Sequence, residues 1–291
     1  FAAQYPDAKT FPDLDSMLAA KTVNAVAIAT PAATHGALAA KALAAGKHVF
    51  VEKPLCLDLD EARALGAAAK AAGLTLMVGH LLLYHPAFIA LRSLAEAGRL
   101  GQLRYVYSNR LSLGKIRREE NALWSFAPHD VSMILALAGA LPHRVVTTGG
   151  NYLLTDVADT TLSHLAFPGG MQAHIFVSWL HPYKDHRLVV VGSEGMATFH
   201  DSEPEGRKLM LYPHTVGWDG ELPTVTKAAA EPVPYEAGEP LFLECRHFLD
   251  CIAQRRTPRS DAAESLRVLG VLDACQRSLA SGEAISLEST A

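Results

Sequence analysis

His48-Val-Phe-Val-Glu-Lys-Pro54 is the stretch that decides the fold of this 291-residue chain. Its apolar centre predicts a buried strand, and Glu-Lys-Pro follows where the strand ends. Val23-Asn-Ala-Val-Ala-Ile-Ala29 has the same form, ends at Thr30-Pro31, and is followed by a helical segment at 34–45. Strand, helix and strand in this order predict parallel strands with a crossover helix. Such sheets bind ligands at the carboxyl ends of their strands, so we predict a functional role for Lys53 rather than a surface ion pair.

The pattern on either side of this stretch predicts two domains. A short strand at 8–11 and a helical turn at 13–20 come first, and Pro54 is a candidate for a cis peptide bond. A helix at 58–72, a strand at 74–78 and a helix at 86–97 continue the alternation. From residue 103 onward, strand-like runs follow one another with few helices, at 103–110, 144–148, 159–167, 171–179, 186–191 and 196–200.

Pro168-Gly169-Gly170 predicts a tight turn between two antiparallel strands. Residues 202–239 are predicted to be loop with short strands, and helices are predicted at 128–138, 240–254 and 261–281. The fold class is therefore α/β plus α+β. Residues 1–105 form a partial dinucleotide-binding domain with a parallel, Rossmann-type sheet. Residues 106–291 are predicted to form a second domain, with a mainly antiparallel open sheet and helices on one face.

The glycines do not form the dinucleotide fingerprint. None of the 21 glycines is followed by another two positions later, so G-x-G-x-x-G is not present. We therefore expect one βαβ unit, about 35–45 residues, to lie upstream of Phe1. Without it, we expect the chain to bind dinucleotide poorly and to be inactive alone.

Composition excludes several classes of function. A net charge of -4 and a pI near 6.4 argue against general nucleic-acid binding. No apolar stretch approaches the ~18 residues that a membrane span requires. The four cysteines form no C-x-x-C motif, which favours reduced thiols in the cytoplasm. Cys245, His247 and Cys251 do not share one helical face, so we predict no metal site.

The segment Asn121–Asp130 contains a candidate general base. Pro128 suits the first position of a helix, so we expect His129 and Asp130 in its first turn. A helix N-terminus disfavours the charged imidazolium, which would leave His129 neutral and able to accept a proton. A structural histidine that hydrogen-bonds a neighbour fits the sequence equally well.

Ala29-Thr-Pro31 with His35, then Glu52-Lys-Pro54, then a histidine opening a helix, resemble in this order the Gfo/Idh/MocA oxidoreductases. The resemblance implies hydride transfer between a sugar, cyclitol or nucleotide sugar and NAD or NADP, with NAD favoured. It implies that residues 106–291 bind substrate and assemble into dimers or tetramers through the open sheet. It also implies that Lys53 hydrogen-bonds the reacting hydroxyl and that His129 takes its proton. The residues that would contact the cofactor are Thr30, Pro31, His35, Glu52 and Lys53.

Within this family, Gly79-His80, Tyr84-His85-Pro86 and Val177-Ser-Trp179 are similar to the branch that oxidises UDP-linked N-acetyl amino sugars. Ser125 stands where many members carry an acidic residue, which argues against the aldose and inositol branches. The residues that would contact substrate are Tyr84, Asn121, Trp124, Ser125, Asp130 and Arg187. Packing roles for the tryptophan and a rim position for the arginine are the alternatives. A dehydrogenase of free sugars or cyclitols, or a non-catalytic sensor of the same fold, stays open.

Overall fold

The computed structural model describes residues 4–287. The chain divides into two compact units: the first contains the residues up to Gly79 together with Cys245–Leu266, and the second contains His80–Glu244 together with the residues from Arg267 onward.

The helices are α1 (Leu14–Ala19), α2 (His35–Ala44), α3 (Leu59–Ala71), α4 (Pro86–Glu96), α5 (Ala122–Ala138), α6 (Pro240–Gln254) and α7 (Ala262–Ser281). The strands are β1 (Ala25–Ile28), β2 (His48–Glu52), β3 (Leu76–Gly79), β4 (Leu103–Leu113), β5 (Arg144–Gly150), β6 (Thr160–Ala166), β7 (Gln172–Ser178), β8 (Leu180–Gly192), β9 (Met196–His200), β10 (Leu209–Tyr212), β11 (Thr215–Asp219), β12 (Leu222–Thr226), β13 (Glu231–Pro232) and β14 (Ile285–Ser286).

The first unit is built on a parallel sheet, as predicted, and its strands lie in the order β1-β2-β3. Strand β2 lies in the middle, and its Val49 and Val51 are fully buried. The Asp58 carboxylate accepts from the Glu61 N–H at 2.8 Å and so caps α3. Phe248, in the second half of α6, packs edge-on against Phe50 with ring centroids 5.8 Å apart. The backbone around Ser260 continues the sheet beyond β3.

The second unit is built on a nine-stranded sheet in the order β13-β10-β9-β8-β4-β7-β6-β5-β14. Strand β4 is central; it pairs antiparallel with β8 and parallel with β7, and the other pairs are antiparallel. Helix α5 packs against β4, β6 and β7. Alternate residues of β4 face opposite sides, so Val106, Ser108 and Arg110 are buried under α5.

The opposite side of this sheet, here called the open face, carries half-exposed and exposed side chains. Tyr107 of β4 stacks on His174 of β7, with the rings 5.2 Å apart and nearly parallel. Phe176 and Leu162 pair across β7 and β6 on the same face, and Leu162 is 46% exposed. Tyr105 is 41% exposed.

Strands β11 and β12 form a separate two-stranded hairpin with its turn at Gly220. Its register places Val216 opposite Val225 and Trp218 opposite Pro223, so these four side chains share one face. The other face carries Thr215, Gly217, Asp219, Leu222, Thr224 and Thr226.

Two local predictions are wrong. Residues 8–11 form no strand, because no neighbouring strand supplies backbone partners. Helix α5 begins at Ala122 and not at Pro128, because the Asn121 side chain caps it by accepting from the Trp124 N–H at 3.1 Å. Pro128 lies inside the helix, where its ring nitrogen has no hydrogen to donate to the Trp124 carbonyl. His129 and Asp130 therefore lie about two turns into the helix.

Candidate active site

Glu52 and Lys53 lie, half-buried, at the carboxyl end of β2. The predicted cis bond between Lys53 and Pro54 is confirmed. Glu52 pairs with Gly79 of β3, and a Cβ placed on that glycine would lie 3.0 Å from a Glu52 carboxylate oxygen. The glycine therefore leaves room for the carboxylate at the sheet edge where ligands bind in this class of fold.

His35 ties the ends of β1 and β2 together. Its Nδ1 lies 2.7 Å from the Pro54 carbonyl oxygen, and its Nε2 lies 2.7 Å from the Thr30 carbonyl oxygen. The side chain is 1% exposed, so neither ring nitrogen faces outward. The cofactor contact predicted for His35 is corrected to a positioning role, because backbone carbonyls occupy both of its polar atoms.

Thr30 and Pro31 are exposed at the end of β1. The Thr34 hydroxyl donates to the Pro31 carbonyl at 2.8 Å, and it lies 2.7 Å from the Thr30 hydroxyl. Because a hydroxyl has one hydrogen, Thr30 donates to Thr34 and keeps its lone pairs as acceptors.

These groups fit the nicotinamide and ribose end of a dinucleotide. An accepting hydroxyl at Thr30, a carboxylate at Glu52 and an amine at Lys53 lie at the carboxyl ends of adjacent strands. Ribose hydroxyls and a carboxamide need such donors and acceptors. No glycine-rich turn for the pyrophosphate is present in the sequence, so we assign no residue to it.

His129 is half-buried on α5, and its carbonyl accepts from the Ser132 hydroxyl at 2.8 Å. The dipole effect of a helix N-terminus fades within the first turn. The sequence argument that this dipole keeps His129 neutral is therefore wrong. The role of His129 as a base stays a prediction.

Asp130, predicted to contact substrate, is fully buried and anchors α5 to β4. Arg110 donates to it from Nε at 2.8 Å and from Nη2 at 3.1 Å, and the Ser108 hydroxyl donates at 2.5 Å. Burial lowers the pKa of the adjacent His186 to about 4, and the Arg110 guanidinium adds to this shift. Because Asp130 adjoins His129 in the chain, this cluster fixes the rotation of the turn that carries the histidine.

Asn121 and Trp124 are held by one residue of α7. The Asn121 amide donates to the Gln276 side-chain oxygen at 2.8 Å, and the Trp124 indole donates to the same oxygen at 3.1 Å. Both predicted substrate contacts therefore have structural partners. Tyr84 is 2% exposed and Ser125 is 6% exposed, which disfavours the substrate contacts predicted for them.

Arg187 lies on the open face, opposite the side that α5 covers, so it does not join His129. Its Nη2 donates to Asp185 at 2.9 Å, and this hydrogen bond raises the pKa of Arg187. Burial alone would raise the pKa of Asp185, but hydrogen bonds from Arg187 and Asn109 outweigh it and lower that pKa. The substrate contact predicted for Arg187 gains no support from this position.

Sequence reasoning missed the residues that hold these elements. Arg110 had a readable signal, because a charged side chain on the apolar side of an alternating strand implies a buried partner. Asp159 had no such signal. Its carboxylate accepts from the Trp179 indole at 2.6 Å and from the backbone N–H groups of Tyr152 and Leu153.

Two kinds of feature are absent from residues 4–287. No cluster of three or more histidine, cysteine, aspartate or glutamate side chains could hold a metal ion. No helix in that range combines the length and apolarity needed to cross a membrane.

Comparison with known proteins identifies relatives along most of the chain. Residues 1–80 match the family model described as "Oxidoreductase family, NAD-binding Rossmann fold", and residues 88–198 match "GFO/IDH/MocA C-terminal domain". UDP-N-acetylglucosamine 3-dehydrogenase of Acidithiobacillus ferrooxidans is 32% identical over 90% of this chain and 80% of its own length. The scyllo-inositol 2-dehydrogenase (NAD(+)) of Bacillus subtilis is 27% identical over 81% of this chain and 69% of its own.

Solved structures are similar to this chain as well. A crystal structure of the Acidithiobacillus enzyme superposes with a TM-score of 0.82 at 30% identity, and the match covers 96% of this chain and 85% of that chain. GenD2 from gentamicin A biosynthesis, solved in complex with NAD, also gives 0.82, at 27% identity over 99% of this chain and 85% of that chain.

Proposed function

The chain belongs to the Gfo/Idh/MocA family of NAD(P)-dependent oxidoreductases, and from this premise we propose that it oxidises a ring hydroxyl of a nucleotide-linked N-acetyl sugar. The observation that carries the proposal is the position of Lys53 at the carboxyl end of β2, next to Glu52. The His35 ring, which contacts the Thr30 and Pro54 carbonyls, holds the backbone on either side of this position. The choice of a nucleotide sugar draws on the similarity to a UDP-N-acetylglucosamine 3-dehydrogenase.

Each candidate residue has a separate task in this reaction. Bound NAD(P) supplies the acceptor for the hydride that leaves the C–H bond of the substrate. The Lys53 ammonium donates a hydrogen bond to the reacting oxygen and stabilises its developing negative charge. His129 takes the hydroxyl proton, which leaves a ketone. Thr30, Pro31 and Glu52 bind the nicotinamide and ribose end, while His35 holds their backbone in place.

Oxidation of a free cyclitol or sugar is the second candidate. Two inositol 2-dehydrogenases, from Bacillus subtilis and Rhizobium meliloti, are each 27% identical to this chain. The two candidates differ in the substrate's nucleotide and not in the chemistry at the hydroxyl, so a substrate panel separates them.

The test uses the protein as its gene encodes it, with UDP-N-acetyl sugars, free N-acetyl sugars and inositols offered in turn with NAD or NADP. Formation of the reduced nicotinamide is followed by absorbance. We expect turnover with a UDP-sugar, and a fall in kcat of roughly 10²–10⁴-fold in His129→Asn and in Lys53→Met, far larger than any loss of cofactor affinity.

His143→Asn and Lys70→Met serve as matched controls, because both side chains are exposed and outside the candidate site. Turnover of inositols alone would assign the second candidate. Full activity in Lys53→Met would remove that lysine from the mechanism.

The proposal also covers the oligomeric state of the protein, its cellular location and the boundaries of its two domains. The aromatic and aliphatic side chains of the open face support a homodimer or homotetramer formed through this sheet. The four cysteines form no disulfide, which supports a cytoplasmic location. We propose residues 1–105 as the cofactor-binding domain and residues 106–291 as the substrate-binding domain, whereas the compact units of the fold divide after Gly79 and place Cys245–Leu266 in the first unit.

A further inference from the structure

A cleft of about 1070 Å³ lies in the first unit, and every residue that lines it belongs to that unit. The lining comes from α3, from the first turn of α7 and from the loop between α6 and α7. A Cβ placed on Gly66 would lie 3.1 Å from the Ala262 Cβ, so α3 and α7 approach each other closely beside the cleft. Small-molecule sites typically measure roughly 300–1,000 Å³, so the cleft is large enough for a ligand.

The cleft lies at the amino ends of the parallel strands, whereas the candidate active site lies at their carboxyl ends. His48 and Leu76, the first residues of β2 and β3, both line the cleft. Strand β2 runs from His48 to Glu52, which separates its two ends by about 13 Å. In this class of fold the dinucleotide and substrate bind at the carboxyl edge, so the cleft is a separate site.

The lining of the cleft is positively charged. Its cationic side chains are Arg63, Lys70, Arg255 and Arg256, and its one carboxylate is that of Asp261. That carboxylate accepts from the Glu264 N–H at 2.8 Å and caps α7. Arg63 pairs with Asp60, but within residues 4–287 no carboxylate pairs with Lys70, Arg255 or Arg256. These exposed cations are available to an anionic ligand.

Arg255 occupies its position against the preference of its backbone. It follows α6 directly and has a φ of 51°, in the left-handed region where glycine is the usual residue after a helix. The Arg255 and Arg256 N–H groups donate to the Ile252 and Cys251 carbonyls, at 3.4 and 3.0 Å, so the turn needs only backbone atoms. An arginine in place of glycine therefore indicates a use for the side chain.

We propose that this cleft binds an organic phosphate, a small molecule that joins a phosphate group to a flat apolar body. The arginines and the lysine donate to the phosphate oxygens, which a guanidinium binds through two parallel hydrogen bonds. A phosphate monoester carries a charge of about -1.5 to -2 at neutral pH, which suits several cations better than a carboxylate does. Leu76, Ile252 and Leu266 supply the apolar contacts. The proposal does not rest on the proposed reaction.

Binding of 1-naphthyl phosphate, measured by calorimetry, tests the ligand class. The protein as its gene encodes it is first saturated with NAD or NADP, so that the probe cannot occupy the dinucleotide site. Inorganic phosphate supplies the charge without the ring, and 1-naphthol supplies the ring without the charge. We expect submillimolar affinity for 1-naphthyl phosphate and at least about fivefold weaker binding of each of the other two.

Arg255→Gly and Arg256→Met test the lining. At low ionic strength we expect each to raise the dissociation constant of 1-naphthyl phosphate at least about fivefold. Arg255→Gly should also raise the Tm of the unliganded protein, because glycine adopts a positive φ without a steric cost. Lys21→Gly is the matched control, because Lys21 is an exposed cation that follows a helix, has the same φ of 51° and does not line the cleft. It should raise the Tm in the same way and bind the probe like the parent protein.

Four results would overturn the site. They are no saturable binding of 1-naphthyl phosphate, equal binding of 1-naphthol or of inorganic phosphate, unchanged binding in both arginine variants, and equal losses in Arg255→Gly and Lys21→Gly. The last result would assign the binding to the overall charge of the protein and not to the cleft. None of them bears on the proposed reaction, because no sugar substrate is present in these measurements.

Discussion

Arg110→Met tests the ion pair that anchors α5 to β4. The two side chains are 8% and 0% exposed, and Arg110 supplies two of the three hydrogen bonds to Asp130 described above. Methionine fills similar space but leaves a buried carboxylate with the Ser108 hydroxyl. Breaking a buried pair from one side costs about 3–5 kcal/mol, so we expect the unfolding free energy of this unit to fall by that amount.

The assay is urea denaturation followed by tryptophan fluorescence. Trp124, Trp179 and Trp218 all lie in the second unit, so the signal reports on that unit. Arg92→Met is the matched control, because Arg92 forms an exposed pair with Glu96 at 2.7 Å. Exposed pairs contribute less than about 1 kcal/mol.

A double substitution completes the test. Replacing both members of a buried pair by apolar residues is often close to neutral, so Arg110→Met with Asp130→Leu should cost clearly less than the sum of the single changes. The reasoning fails if Arg110→Met costs no more than Arg92→Met, or if the two changes are additive.

Three further predictions concern other buried groups. Burial alone would raise the pKa of Asp159, but its three N–H donors outweigh burial and lower that pKa. The contribution of this carboxylate to stability is therefore present above about pH 4 and is lost at lower pH. The difference in unfolding free energy between the parent protein and Asp159→Asn should shrink from about pH 6 to about pH 3. Gln276→Leu removes the acceptor shared by two donors and should cost about 1–3 kcal/mol in urea denaturation. Burial raises the pKa of the Cys56 thiol to about 11, whereas Cys245 is exposed, so a chromogenic thiol reagent should show one fast cysteine that disappears in Cys245→Ser.

The local sequence pattern predicted most helices and strands, because buried side chains recur with the period of the helix or strand that carries them. Strand β2 was readable from Val-Phe-Val, and helix α6 matches its predicted bounds of 240–254. The start of α5 was not readable, because two residues compete for it. Pro128 fits a first position, but the Asn121 cap satisfies the backbone earlier and the packed helix tolerates the proline.

The candidate site was only partly predictable from the sequence, because most of its contacts join segments that are far apart in the chain. Lys53 was predictable because its position follows from one strand and one rule of α/β sheets. The His35 bridge, the Gln276 acceptor and the Arg110–Asp130 pair depend on contacts between distant segments, and no local pattern encodes them. For the same reason, a side chain that could bind substrate was not distinguishable from one that caps or anchors a helix.

The central place of β4 has a consequence for synthesis on the ribosome. Its two neighbours, β7 and β8, follow roughly 60–90 residues later, which corresponds to about 3–18 s at ordinary elongation rates. Both hydrogen-bonding edges of β4 stay unpaired until β7 emerges, and the second edge waits for β8; an unpaired edge is a template for misassembly. The segment around Ser260 that continues the first sheet emerges later still. A nascent chain that stalls before Gly192 would therefore expose β4 to chaperones and proteases, so the codons between β4 and β8 are where slow translation would harm yield most.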